Sequence, residues 1–155
     1  MLVGDIMRGD VKTAEASDTF ADVAKQMRAN GISSVVVLGK DGALAGIVTE
    51  RDIVNLVAAG GDPQAVKVAH GMTRRNLETI GSKADIAEAA DRMVSLNIRH
   101  LPVVDQGKVV GIVSIRDLTK WAAEELSGGH EMPDIARSQK ALKAASELQK
   151  QRQLG

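Results

Sequence analysis

At 155 residues the chain is about one domain long. It has no cysteine, no tyrosine, one phenylalanine and one tryptophan, so its core must be aliphatic and disulfide or thiolate chemistry is excluded. Twenty basic and twenty acidic residues balance, which argues against the basic stripe of a general nucleic-acid binder.

The N-terminal stretch MLVGDIMRGD lacks a basic region leading into a long apolar run, and no window approaches the ~18 unbroken apolar residues of a membrane span. The sequence therefore predicts a cytoplasmic protein. Phe20, Val23, Ala24 and Met27 then follow the i, i+3, i+4, i+7 spacing of an amphipathic helix over 20–30. Thr19 and Asp22 supply an N-cap with an acid three residues on, and Gly31 closes the helix. ISSVVVL at 32–38 and LAGIVT at 44–49, joined by Lys40-Asp41-Gly42, read as a hairpin. A helix starts near Glu50 and ends by Gly60-Gly61. GGDPQ at 60–64 reads as a hinge, with Asp62 capping and Pro63 at a first helical position.

The same order then returns. Ile86, Ala89, Ala90 and Met93 predict a helix over 86–96, with Asp85 and Glu88 at its start and Asn97 at its end. IRHLPVV at 98–104, a turn at Gln106-Gly107, and VVGIVS at 109–114 form a second hairpin. A helix runs from Ile115 to about 126. After the breaker-rich SGGHEMPD, Asp134 starts a helix to about Gln151, with Ile135, Leu142, Ala145 and Leu148 loosely on one side. A solvated helix and packing on a partner or effector both fit that tail.

The recurrence is an internal repeat. GIVTERDIV at 46–54 returns as GIVSIRDLT at 111–119. Val3 and Met7 match Val68 and Met72 at the same offset, and VKT at 11–13 matches LET at 77–79. The chain divides into a unit over 1–60, a hinge over 61–65, a second unit over 66–126, and a tail over 127–155. A unit of about 60 residues is marginal alone, so pairing with its copy is expected.

The repeated phrase has two readings. Thr49 with Asp52, and Ser114 with Asp117, fit the hydroxyl-x-x-acid capping box, and Gly46 and Gly111 would mark a bulge or close strand contact. Alternatively, the hydroxyl and the helix start suit a phosphate, the adjacent Arg51 or Arg116 reaches phosphate oxygens with its planar fork, and the carboxylate accepts from a ribose diol.

VGDIM with VAHGM, VKT with LET, NGISSVVV with NIRHLPVV, and GIVTERD with GIVSIRD together resemble a pair of CBS domains, a Bateman module, over about residues 1–126. The resemblance implies an α/β fold: a tandem of two β-α-β-β-α units with pseudo-two-fold symmetry, followed by the C-terminal helical tail. It implies a non-catalytic regulatory module that binds AMP, ADP or ATP in composite clefts between the repeats. One cleft would combine Thr13, Ile32, Ser33 and Ser34 with Ser114, Arg116 and Asp117. The other would combine Thr79, Ile98, Arg99, His100 and Pro102 with Thr49, Arg51 and Asp52. An S-adenosylmethionine or NAD sensor, or a ligand-free dimerisation and assembly module, are the alternatives.

Apolar stripes on the four repeat helices predict a homodimer, and an effector protein is a further expected partner. His70, His100 and His130 lie far apart without a metal-binding motif, so no metal is expected. Trp121 is expected to be buried at an interface. Val36 stands where the second repeat has Pro102, Gly71 where the first has Ile6, and His70 where the first has Asp5.

Overall fold

The computed structural model describes residues 1–128 and 134–154; His130 and most of the SGGHEMPD link lie outside them. The elements in chain order are α1 (Val3–Ile6), β1 (Thr13–Glu15), α2 (Phe20–Asn30), β2 (Ser34–Leu38), β3 (Leu44–Thr49), α3 (Glu50–Ala58), a 3-10 turn (Val68–His70), α4 (Ile86–Ser95), β4 (His100–Asp105), β5 (Lys108–Ser114), α5 (Ile115–Ser127) and α6 (Ile135–Leu154). The mixed α/β architecture with a repeated unit is as expected.

Two compact units result: residues 10–78, and residues 1–9 with 79–154. The repeat along the sequence and the unit in space are thus different groupings. The leader VGDIM packs with the second repeat and the leader VAHGM with the first. Each leader pairs in the same way. Ile47 and Thr73 exchange backbone hydrogen bonds of 3.0 and 2.9 Å, as do Ile112 and Arg8. This explains the glycine of each phrase. A Cβ on Gly46 would stand 2.7 Å from Met72 Sδ and 2.9 Å from the Thr73 carbonyl, and one on Gly111 would collide with Met7 Sδ. Close approach of a neighbouring bridged segment is the reading the glycines support.

In the unit 10–78, β1 runs parallel to β2 and β2 antiparallel to β3. Phe20, Val23 and Met27 of α2 meet Val35, Val37 and Val48 of the sheet in one core. Thr19 and Asp22 form the expected reciprocal cap, with Asp22 N–H donating to Thr19 Oγ1 at 3.1 Å and Thr19 N–H donating to Asp22 Oδ2 at 3.0 Å. Gly31 closes α2 at φ 61°. Asp62 does not cap a helix. Its Oδ1 accepts from Gln64 N–H at 2.9 Å and its carbonyl from Ala65 and Val66, so Pro63 opens a turn. Gly71 faces Phe20, whose ring a Cβ would meet at 2.7 Å.

In the other unit β4 and β5 form a two-stranded sheet, and Ile80 makes only a parallel bridge to Val103 where the first repeat has a strand. Asp85 caps α4 through Ala87 N–H at 2.8 Å. Glu88 does not complete a box; it pairs with Arg92 one turn on, at 2.8 Å.

The tail helix α6 packs on α4 and α5 of its own unit, which is neither of the two arrangements the sequence offered, a solvated helix or one held by a partner or effector. Its buried face is Ser138, Ala141, Ala144 and Leu148; Ile135 and Leu142 are exposed. Small residues let α6 approach closely, and Ala141, Ala144 and Leu148 share one core with Met93, Trp121 and Ala122. Trp121 is buried there. Arg137 anchors the first turn of α6 by two guanidinium nitrogens on Asp85, at 2.7 to 3.0 Å, and by Nη1 on Asp134 at 2.8 Å. These contacts hold the Asp85 carboxyl down at about 2. No helix among the described residues is long and apolar enough to cross a membrane.

Candidate functional site

In each unit the phrase is the last residue of a strand followed directly by a helix. Thr49 ends β3 and Ser114 ends β5, both in extended backbone. Thr49 donates from its amide and its hydroxyl to Asp52 Oδ2, at 2.7 and 3.1 Å. Ser114 does the same to Asp117 Oδ2 at 2.8 and 2.6 Å, and Asp117 N–H returns a bond of 3.3 Å to Ser114 Oγ. The capping reading is therefore realised in both copies. It occupies Oδ2 of each carboxylate and leaves Oδ1 outside the cap.

The helix starts offer fewer backbone donors than a bare helix N-terminus. Glu50 N–H donates to the Ser33 carbonyl at 3.1 Å, and Ile115 N–H to the Arg99 carbonyl at 2.9 Å. Any phosphate recognition here must lean on side chains. Arg51 and Arg116 are exposed, and among the described residues their guanidiniums make no hydrogen bond or ion pair.

Each unit gathers its own candidate residues at one corner of its sheet. In the unit 10–78, Ser34 is the Cα partner of Thr49, so Ile32, Ser33 and Ser34 abut Thr49, Arg51 and Asp52. Thr13 sits on β1 opposite Val36, and its carbonyl accepts from Gln26 Nε2 at 3.1 Å. In the other unit His100 is the partner of Ser114, so Ile98, Arg99 and His100 abut Ser114, Arg116 and Asp117. The Thr79 carbonyl accepts from Arg92 Nη1 at 2.9 Å, matching Thr13 and Gln26. Pro102 is buried on β4, and its carbonyl accepts from Ile80 N–H at 3.1 Å.

Three features of the second unit were not read from the sequence. The first is Arg8. Its backbone pairs with Ile112, and its Nε stands 3.4 Å from Asp117 Oδ1. Extending the match of Met7 with Met72 by one residue would have found it opposite Thr73. The second is the state of His100. Burial drives its pKa down to about 4; Arg99, Arg8 and Arg116 push the same way and Asp117 opposes. It is a neutral imidazole at neutral pH, a hydrogen-bonding group without a charge to offer a phosphate. The third is Arg99, whose Nη2 donates to the Leu148 carbonyl of α6 at 3.3 Å. Among the described residues, no group of three or more histidine and carboxylate side chains could hold a metal ion.

Relatives with the same architecture are known. The chain is 37% identical over 118 residues to the uncharacterized protein MK0525 of Methanopyrus kandleri, covering 75% of this chain and 60% of that protein. It thus spans about 60% of that relative's length. The CBS domain pair of protein MJ0100, solved in complex with 5'-methylthioadenosine and S-adenosyl-L-methionine, superposes with a TM-score of 0.73 at 29% identity, covering 79% of this chain and 96% of that one. The CBS domain protein PAE2072 from Pyrobaculum aerophilum, solved with AMP, gives 0.71 at 26% identity, covering 76% and 90%. A sequence model of the CBS domain matches residues 3–59 and again residues 68–124, one match to each repeat. The protein belongs to the CBS domain family, as a tandem pair carrying an additional C-terminal helix.

Proposed function

We propose that the chain is a non-catalytic regulatory module that binds an adenosine-containing ligand of the AMP, ADP or ATP class and signals by a change of conformation or partner binding. The observation that carries this reading is the duplicated corner: a carboxylate with one oxygen held by the cap and the other outside it, next in sequence to an exposed arginine, in each unit. The ligands of the related structures support the same chemistry. AMP, 5'-methylthioadenosine and S-adenosylmethionine share a 5'-substituted adenosine, and only AMP has a phosphate. The ribose diol is the common feature, which suits the uncapped oxygens of Asp52 and Asp117; Arg51 and Arg116 would add the phosphate preference. Thr13, Ile32, Ser33 and Ser34, and Thr79, Ile98, Arg99, His100 and Pro102, remain the proposed base-side residues.

Assembly as a homodimer is a second part of the proposal. Val54 and Val57 of α3 are 64% and 55% exposed, an apolar pair on a helix with no buried residue. Sedimentation at micromolar concentration tests it, and a monomeric mass rejects it. Calorimetric titration with AMP, ATP and S-adenosylmethionine tests the ligand reading. Asp52→Ala and Asp117→Ala should each weaken binding about ten- to a hundred-fold by removing a hydrogen bond to a charged group. Unchanged affinity with a lowered melting point would reduce the phrase to a helix cap.

A further inference from the structure

We infer that α6, Arg99 and the start of α5 form a second binding groove, for a phosphate-bearing small molecule. A cavity of about 390 Å³ lies there, with Ile115 and Leu148 as an apolar floor and Arg99, Gln149, Arg152 and Gln153 around it. That volume is within the range of small-ligand sites. None of the lining residues is acidic. Two guanidiniums around one cavity repel each other across it, and a bridging anion reverses that term. The carboxamides of Gln149 and Gln153 add donors that accept no charge cost.

The groove is also held in place. The spacing of Gln149, Arg152 and Gln153 puts them on one face of α6. Arg137 pins the opposite end of the helix to Asp85. The Leu148 carbonyl accepts from Arg99 Nη2 and so sets the plane of its fork. The first residue of α5, Ile115, lies in the floor, and its N–H is taken by the Arg99 carbonyl, so side chains must hold the anion. The last carbonyls of α6 work against an anion, but they carry about half a charge against two full ones.

This groove shares Arg99 with the proposed adenosine site but neither Ser114 nor Asp117 lines it, so the two readings can fail separately. The chain has a single tryptophan, Trp121, packed in one core with Ala141, Ala144 and Leu148 of α6, so its fluorescence reports on that helix. The full chain is titrated with sodium tripolyphosphate, with ATP and with adenosine at low salt, by calorimetry and Trp121 fluorescence. Tripolyphosphate should bind at one site and shift the emission, and adenosine should do neither there. ATP binding at the same site, in competition with tripolyphosphate, identifies a nucleotide as the source of the phosphates; its failure to compete leaves an inorganic or other phosphate. Arg152→Gln and Gln153→Glu should each weaken tripolyphosphate at least about tenfold. Lys150→Gln removes the same charge from the same helix outside the lining, and should change affinity less than about twofold. The inference is overturned if the unaltered chain binds no tripolyphosphate, or if Arg152→Gln binds it as the unaltered chain does. It is equally overturned if Lys150→Gln matches the loss in Arg152→Gln. Loss of adenosine binding in Asp117→Ala with tripolyphosphate binding intact separates the two sites.

Discussion

The unit 10–78 and the unit built from residues 1–9 and 79–154 share a backbone plan but not a chemistry. Both close a leader segment over the phrase glycine, both cap a helix with a hydroxyl and an aspartate, and both clamp the Thr13 or Thr79 carbonyl from the helix that follows it. Around that frame they diverge. Ser34 is answered by His100, Thr73 by Arg8, and nothing in the unit 10–78 answers α6. Duplication has kept what the fold needs and varied charge and cover. The two phrase corners are therefore chemically unequal.

The largest expected effect follows from α6. Leu148 is 1% exposed inside the core of its unit, while Leu142 on the same helix is 41% exposed. Leu148→Ala should cost about 2–5 kcal/mol, and Leu142→Ala less than about 0.5 kcal/mol. Urea melts of both variants check whether the tail is core or ornament. Equal, small losses would mean that α6 does not belong to its unit in solution.

The second effect is a pH dependence confined to the unit with His100. Its pKa is lowered to about 4 by burial and by the three arginines, against 6.5 for the unperturbed group. In that interval the unfolded chain binds the proton that the native one refuses, so stability is full above 6.5 and is lost as the pH falls towards 4. The loss is on the order of 3 kcal/mol. His100→Gln should flatten the curve there. The lowered carboxyls, Asp85 foremost, act in the same direction but only below their ordinary range, as the pH falls through 3.8 towards 2. Melting curves from pH 7.5 to 3 separate the two windows.

The third is a compensating exchange between the copies. Phe20 faces Gly71 in one unit; the matching positions in the other hold Ile86 and Ile6, and Ile6 packs against the core that contains Ile86. Large against nothing balances medium against medium. Gly71→Ile should overpack and cost about 1–3 kcal/mol. Adding Phe20→Ile should recover most of it, and a double-mutant cycle measures the coupling. Strict additivity would break the proposed equivalence.

How much of this was legible depended on range. The helices at Phe20, Glu50, Ile86 and Ile115 came from local spacing and caps, which the chain carries within one or two turns. The repeat itself exposed the corner residues. Helix α1 and the turn at Val68 escaped because a few residues are too short to show a period. The pairing of Arg8 with Ile112 joins positions far apart in sequence, and an internal offset says which residues correspond, not which ones touch. The buried face of α6 was misread because Ala141 and Ala144 signal helix propensity as strongly as burial. What covers a small-residue face is a tertiary fact.

The smallest effect is the most telling for function. Arg8 Nε stands 3.4 Å from Asp117 Oδ1 and its side chain is 40% exposed, so the pair should contribute under about 1 kcal/mol to stability. Arg8→Thr, which copies Thr73 of the other unit, should leave the melting point nearly unchanged. Its consequence lies in ligand preference. Capping occupies Asp117 Oδ2, so a ribose diol must use Oδ1, the oxygen beside Arg8. A carboxylate oxygen accepts more than one hydrogen bond, so the diol and Arg8 can share it. The cation then matters for what hangs from the 5' position. It attracts the phosphate of AMP and leaves the thioether of 5'-methylthioadenosine indifferent. Arg8→Thr should lower the ratio of AMP to 5'-methylthioadenosine affinity about two- to fivefold at 50 mM salt, and much less at 500 mM, where exposed charges are screened. Thr73→Arg should raise the same ratio at the Asp52 corner. Calorimetric titrations of both variants at the two salt concentrations read this out. A ratio unmoved by either variant would mean that the charge difference between the two units carries no ligand selectivity.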